Sequence, residues 1–121
     1  MKLLNISLLA EIVQVEFADL VVHVSPGLNE MRIILTDGSF IDVWFSLKLT
    51  GRYSFHWDRK AIDGTIYHHD NAPHCRWNKI KTFPKHFHNG REDRVMESKI
   101  SEIPEEALRE FLLFVRGKMS S

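Results

Sequence analysis

The stretch MRIILTDGSFIDVWFSL, Met31–Leu47, reads as two strands joined by a tight turn. Beyond Thr36-Asp37-Gly38-Ser39, the residues Ile41, Val43, Phe45 and Leu47 alternate with Phe40, Asp42, Trp44 and Ser46. A period of two sends the two sets to opposite faces of a strand. Asp-Gly is favoured in hairpin turns because glycine accepts positive φ without steric cost. The stretch therefore predicts a half-buried antiparallel hairpin, and the neighbouring segments extend it.

Downstream, Gly51 opens a strand over Arg52–Trp57, with Tyr53, Phe55 and Trp57 on one face and Ser54 and His56 on the other. A second Asp-Gly, Asp63-Gly64, returns the chain into a strand over Thr65–His69, which places these two strands side by side. Upstream, Leu20–Val24 is rich in β-branched residues and runs into Ser25-Pro26-Gly27, where a strand should end. Leu3–Phe17 fits two patterns: Leu4, Leu8, Ala10 and Ile12 could line a helix, whereas Val13, Val15 and Phe17 alternate as in a strand; it is read as a helix. Near the other end, Pro104 sits at a favoured first helical position, with Glu105 and Glu106 at the start and Arg116 and Lys118 at the finish. Leu108, Phe111, Leu112 and Val115 form an apolar stripe that should cover one face of the sheet. The expected fold is a single α+β domain over residues 1–121, an antiparallel meander of five strands with a C-terminal helix on one face and an N-terminal helix.

A chain of 121 residues suits one domain. Lys plus Arg and Asp plus Glu number 16 each, so bulk charge would not hold the protein to nucleic acid or membrane, and local charge must decide. The lone cysteine, Cys75, forms no internal disulfide, which fits a reducing compartment. Met1–Leu9 is too weakly apolar for a signal peptide, and no run approaches a membrane span; a cytoplasmic location is expected.

Residues Asp70–Arg94 lose periodicity and are broken by Asn71, Pro73, Asn78, Pro84, Asn89 and Gly90, so they are expected to form a long irregular segment. Trp77, Ile80, Phe83 and Phe87 could pin it to the sheet. Six of the seven histidines, His56, His68, His69, His74, His86 and His88, fall within 33 positions. Imidazoles titrate near neutrality and ligate metals through a neutral nitrogen, so the cluster suits proton transfer or metal binding. Strand alternation puts His68 and Asp70 on one face and His69 on the other, while an extended His86-Phe87-His88 points both imidazoles the same way. A zinc site would combine His86 and His88 with one of His74, Asp70 or Cys75, although the chain has no CxxC or HExxH. The plainer alternative is that Asp70, Asn71 and His74 bond to backbone groups and order the loop. Between His74 and Arg94, Arg76, Lys79, Lys81, Lys85, Arg91 and Arg94 outnumber Glu92 and Asp93, with Trp77, Phe83 and Phe87 interleaved. Basic groups among aromatics can hold phosphates and stack bases, as in RNA binding, but the same pattern describes a solvated loop whose aromatics face inward. A catalytic Cys75 would have no activating partner beyond its neighbours His74 and Arg76, and a buried structural thiol is the commoner case.

The strings R-Y-S-F-H-W (Arg52–Trp57), D-N-A-P-H (Asp70–His74) and T-F-P-K-H-F-H (Thr82–His88), with Asp63-Gly64 between the first two, resemble the TumE-type family, the toxin half of small prokaryotic toxin–antitoxin pairs. The resemblance spans roughly Met31–His88 and places Asp70, Asn71, Pro73, His74, Thr82, Pro84, His86 and His88 on the family pattern. It departs after His74, where Cys75 and Arg76 stand in place of a second His and a Pro. What it implies is a biological setting with an antitoxin partner, more than a particular reaction. Two readings follow. In the first, the chain is an RNA-directed toxin with Asp70, His74, His86 and His88 as catalytic groups and His56, His68, Asn71, Arg76, Lys79, Lys81 and Lys85 binding the substrate. In the second, it is a non-enzymatic binding module whose His-rich loop is structural. The first requires Asp70, His74, His86 and His88 to converge in space.

Overall fold

The computed structural model describes residues 4–121, and along the chain these form α1 (Ile6–Glu16), β1 (Val21–Pro26), β2 (Glu30–Leu35), β3 (Phe40–Phe45), β4 (Tyr53–Arg59), α2 (Lys60–Asp63), β5 (Thr65–Asp70), β6 (His86–Gly90), β7 (Val95–Glu97) and α3 (Pro104–Met119). The seven strands make one antiparallel sheet in the order β1-β2-β3-β4-β5-β6-β7, a meander in which every strand pairs with its sequence neighbour. The α+β class and the two flanking helices match the expectation from sequence, but the strand count is seven rather than five. Of the two additional strands, β6 lies inside the Asp70–Arg94 run expected to be irregular, which corrects that reading, and β7 lies just beyond it.

The Met31–Leu47 reading holds in its essentials. Ile33 pairs with Ile41 and Met31 with Val43, and Gly38 at φ 88° turns the chain while Asp37 Oδ1 accepts the Ser39 amide at 2.9 Å. Leu47, expected to continue the alternation, lies beyond β3 and is exposed. β1 runs through Pro26, which was expected in the turn; on an edge strand a residue without an amide hydrogen is tolerated at the strand end. Asp63-Gly64 closes a single helical turn, α2, with Gly64 at φ 80° as its left-handed cap. β4 and β5 are adjacent and antiparallel, as predicted, with His56 opposite His68.

The N-terminal segment is helical, starting after Asn5, whose Oδ1 accepts the Leu8 amide at 3.0 Å. Leu3, where this helix was expected to begin, lies outside the described residues. The buried stripe is Ile6, Leu9, Ala10, Ile12 and Val13, continued by Phe17, whereas Leu4 and Leu8 from the expected stripe are exposed. α3 begins at Pro104 and buries Ala107, Leu108, Phe111, Leu112 and Val115. Phe111 meets Phe55 at 5.9 Å between ring centroids, and Phe114 meets Tyr67 at 5.3 Å and Phe87 at 5.7 Å. Beside it, α1 is tied to α3 by the Arg109–Glu16 pair at 2.7 Å. The helices thus cover one sheet face, onto which Met31, Ile33, Ile41, Val43, Phe55, Trp57 and Tyr67 project. Among the described residues no helix is long and apolar enough to cross a membrane.

Leu112 is 0% exposed at the centre of this layer. Leu112→Ala is expected to cost about 2–5 kcal/mol, since it removes transfer energy and leaves a cavity. Chemical denaturation checks this, and a change within about 0.5 kcal/mol would show that the stripe is not core.

Candidate functional site

The sheet face away from the helices carries the histidines. Pairing sets His56 opposite His68, His68 opposite His88, and Asp70 opposite His86, so three neighbouring strands bring these five side chains into two adjacent rows. Cross-strand neighbours stand close enough for direct contact: ring centroids are 4.9 Å apart for His56 and His68, 5.4 Å for His68 and His88, and 5.0 Å for His86 and His88. Phe87, between the last two, points into the core and stacks on His69 at 4.2 Å.

His86 and His88 are 1% and 7% exposed although, among the described residues, no helix covers this face. The segment from Asn71 to Lys85 bends over them. A 3₁₀ turn at Cys75–Trp77 sets the Trp77 ring 6.4 Å from His86 and 6.0 Å from His88. Thr82 holds the returning end by donating to the Lys85 carbonyl at 2.7 Å and accepting the Ser98 amide at 2.9 Å. A cleft of about 510 Å³ remains, lined by His56, His68, Asp70, His74, Arg76, Trp77, His86, His88, Glu92 and Asp93.

The hydrogen bonds determine which ring nitrogens carry hydrogen. A carbonyl oxygen only accepts. His86 Nδ1, 3.0 Å from the Pro84 carbonyl, and His88 Nδ1, 2.7 Å from the Glu92 carbonyl, are therefore the protonated nitrogens, and each neutral ring keeps its lone pair on Nε2. His68 Nε2 donates to Asp70 Oδ2 at 2.9 Å, and its Nδ1 lies 2.8 Å from His56 Nδ1, which must then be the donor when both rings are neutral. A chain of hydrogen bonds thus leads from His56 through His68 to Asp70. Asp70 Oδ1 accepts the Ala72 amide at 2.9 Å. The same oxygen is 3.2 Å from His86 Nε2, yet that nitrogen is buried without any aligned hydrogen bond. Proximity and orientation disagree here, and orientation is decisive, because an acceptor oxygen facing a bare lone pair makes no bond.

Burial and contacts also set the charge. Burial pushes the Asp70 carboxyl up, but the His68 hydrogen bond, the Ala72 amide and the adjacent imidazoles together bring it below the ordinary carboxylate value. Burial holds His56 below the usual imidazole range, with His68 adding to the effect. Burial also lowers His88, with the Glu92 carbonyl working against it. On the core side, burial lowers His69 to about 3, with smaller contributions from His68, Lys85 and His86.

Of the residues singled out in the sequence, Asp70, His74, His86 and His88 all line the cleft, together with His56, His68 and Arg76. Asn71 lies elsewhere: its Oδ1 accepts the Tyr53 amide at 3.0 Å and its Nδ2 donates to the Gly51 carbonyl at 2.8 Å, which ties β5 to the start of β4. Lys79, Lys81 and Lys85 do not line the cleft. The first two are exposed, and Lys85 donates to the Ile100 carbonyl. Cys75 is exposed, and Phe83, expected to pin the loop, is also exposed. Glu92 and Ser54 were not singled out. Ser54 Oγ lies 3.1 Å from His68 Nε2, and strand alternation already put it on the His56 face; Glu92 reaches His88 mainly through its backbone carbonyl, for which a sequence has no signature.

Among known families, the model described as "Toxin TumE" matches residues 7–119 of the chain. No curated protein and no solved structure shows significant similarity.

Proposed function

The chain belongs to the toxin TumE family, and from that premise we propose that it is the toxin half of a toxin–antitoxin pair acting on RNA in the histidine cleft. The observation that supports this most is the convergence of Asp70, His74, His86 and His88 on one cleft, with the Nε2 lone pairs of two buried imidazoles left free by their Nδ1 bonds. Electron-pair donors set beside an ionised carboxylate are what base-assisted or metal-assisted attack on a phosphodiester requires. In this reading Asp70, His86 and His88 are the reacting groups of the floor. His74 stands exposed at the rim, Arg76 binds a phosphate, and the Trp77 ring offers a stacking surface. His56 and His68 orient Asp70 through their hydrogen-bond chain, and Lys79 and Lys81 contribute positive charge on the same segment outside the cleft.

Growth after induced expression tests the proposal. The wild-type chain should arrest growth and generate new RNA ends, whereas His86→Ala and His88→Ala, grown at a temperature where circular dichroism shows them folded, should do neither. Folded variants that still arrest growth would overturn the site and favour a binding module whose surface, rather than its histidines, matters. Growth arrest by the wild type with RNA unchanged would remove RNA as the target.

A further inference from the structure

We propose that Asp70, His86 Nε2 and His88 Nε2 hold a divalent transition-metal ion of the zinc class on the floor of the cleft. The inference deepens the reading above by naming what the three donors bind, although metal binding itself needs neither RNA nor an antitoxin.

Among the described residues, one ligand atom from each of Asp70, His86 and His88 falls within 4.8 Å of the others. Donors around one tetrahedral zinc, with bonds of about 2.1 Å, stand about 3.4 Å apart, so small side-chain rotations complete the set. Adjacent strands preform it, because Asp70 is the cross-strand partner of His86, and His88 follows two residues later on the same face.

The surroundings match those of metal-bound histidines, which commonly give their other ring hydrogen to a carbonyl or carboxylate and are thereby held with the lone pair toward the ion. Both rings do so here, His86 to Pro84 and His88 to Glu92. Asp70 is oriented in the same manner by His68 and the Ala72 amide. The most pointed observation is His86 Nε2, which is buried, has no aligned partner and faces Asp70 Oδ1 at 3.2 Å. Two electron-pair donors turned toward each other out of water are costly unless a positive centre lies between them.

Two imidazoles select a borderline transition metal over magnesium or calcium, which prefer all-oxygen ligands. Three protein ligands at the bottom of an open cleft leave a coordination position for water or substrate, as in catalytic zinc sites. Charge agrees: Glu92 and Asp93 join Asp70 around the cleft, and among the described residues Arg76 is the only Lys or Arg in its lining. Such a cleft attracts a cation readily, and a cation in it would give a polyanionic substrate something to bind.

The test uses untagged full-length protein, stripped with chelator and titrated with Zn²⁺ or Co²⁺. Wild type should bind one ion per chain, show the visible absorption of low-symmetry Co²⁺ and melt at higher temperature with metal than without. His86→Gln and Asp70→Asn should each weaken binding by at least about tenfold, whereas His23→Gln, exposed on the edge strand β1 and outside the cleft, should bind like wild type. If either ligand variant fails to fold, His88→Gln takes its place. Absence of binding by folded wild type, or equal binding by folded ligand variants, overturns the metal site. Since no RNA is present, that result leaves the toxin reading untouched, and toxicity lost in His86→Ala without metal binding by wild type would assign direct proton transfer to the histidines.

Discussion

Trp57→Ala is expected to destabilise the protein by about 3–5 kcal/mol, the range for removing a large aromatic from a core. The ring is 0% exposed, sits 5.3 Å from Tyr67 and 6.4 Å from Phe114, and lies under the Arg59 guanidinium at 4.8 Å. Its Nε1 donates to Ser39 Oγ at 2.9 Å, which links the middle of β4 to the turn between β2 and β3. Trp57→Phe keeps most of the volume and loses this bond, so it should cost markedly less, with the hydrogen-bond share near 1 kcal/mol. Urea titration followed by circular dichroism separates the two. Equal losses in both variants would mean that the hydrogen bond, rather than the packing, holds the layer.

Acid should weaken the fold through His69. This side chain stacks on Phe87, meets Phe111 at 5.7 Å and shares a 2.8 Å hydrogen bond between its Nδ1 and Ser98 Oγ; burial lowers its pKa from 6.5 to about 3. Its folded-state pKa is depressed, so between these values the unfolded chain carries the extra proton. Its contribution is therefore fully present above pH 6.5 and is lost as pH falls toward 3, at up to about 1.4 kcal/mol per pH unit. His56 and His88, also lowered, act in the same direction. Denaturation of wild type and His69→Gln at several pH values, with chelator present, isolates the His69 part: wild type should lose stability more steeply on acidification. Parallel slopes would refute the assignment.

The sequence exposed those parts of the fold that depend on periodicity. Alternation in Tyr53–Trp57 placed three aromatics in the core and His56 on the other face, and the spacing of Leu108, Phe111, Leu112 and Val115 identified the covering stripe. β6 was hidden because three of its five residues, His86, His88 and Asn89, are polar in type, and the histidines are buried by the 71–85 segment rather than by a helix. β7 is too short, at three residues, to show a period. Within the site, histidine clustering and the His-x-His step were enough to anticipate which side chains meet. The lysines misled, because charge in a sequence does not reveal which way an irregular segment turns: Lys85 is committed to a carbonyl, and Lys79 and Lys81 lie outside the cleft. The tautomers of His86 and His88 depend on two backbone carbonyls brought near by folding, which no residue pattern encodes.

The register of β5 makes the cleft a sensor of correct folding. Tyr67 and His69 face the core while His68 and Asp70 face the cleft, so a slip of one residue would exchange the two sets. Such a slip would drive a carboxylate beneath α3 and carry a tyrosine to the place where the donors assemble. A misaligned chain therefore loses its core packing and scatters the cleft's donor groups in the same movement, so the two are present together or not at all.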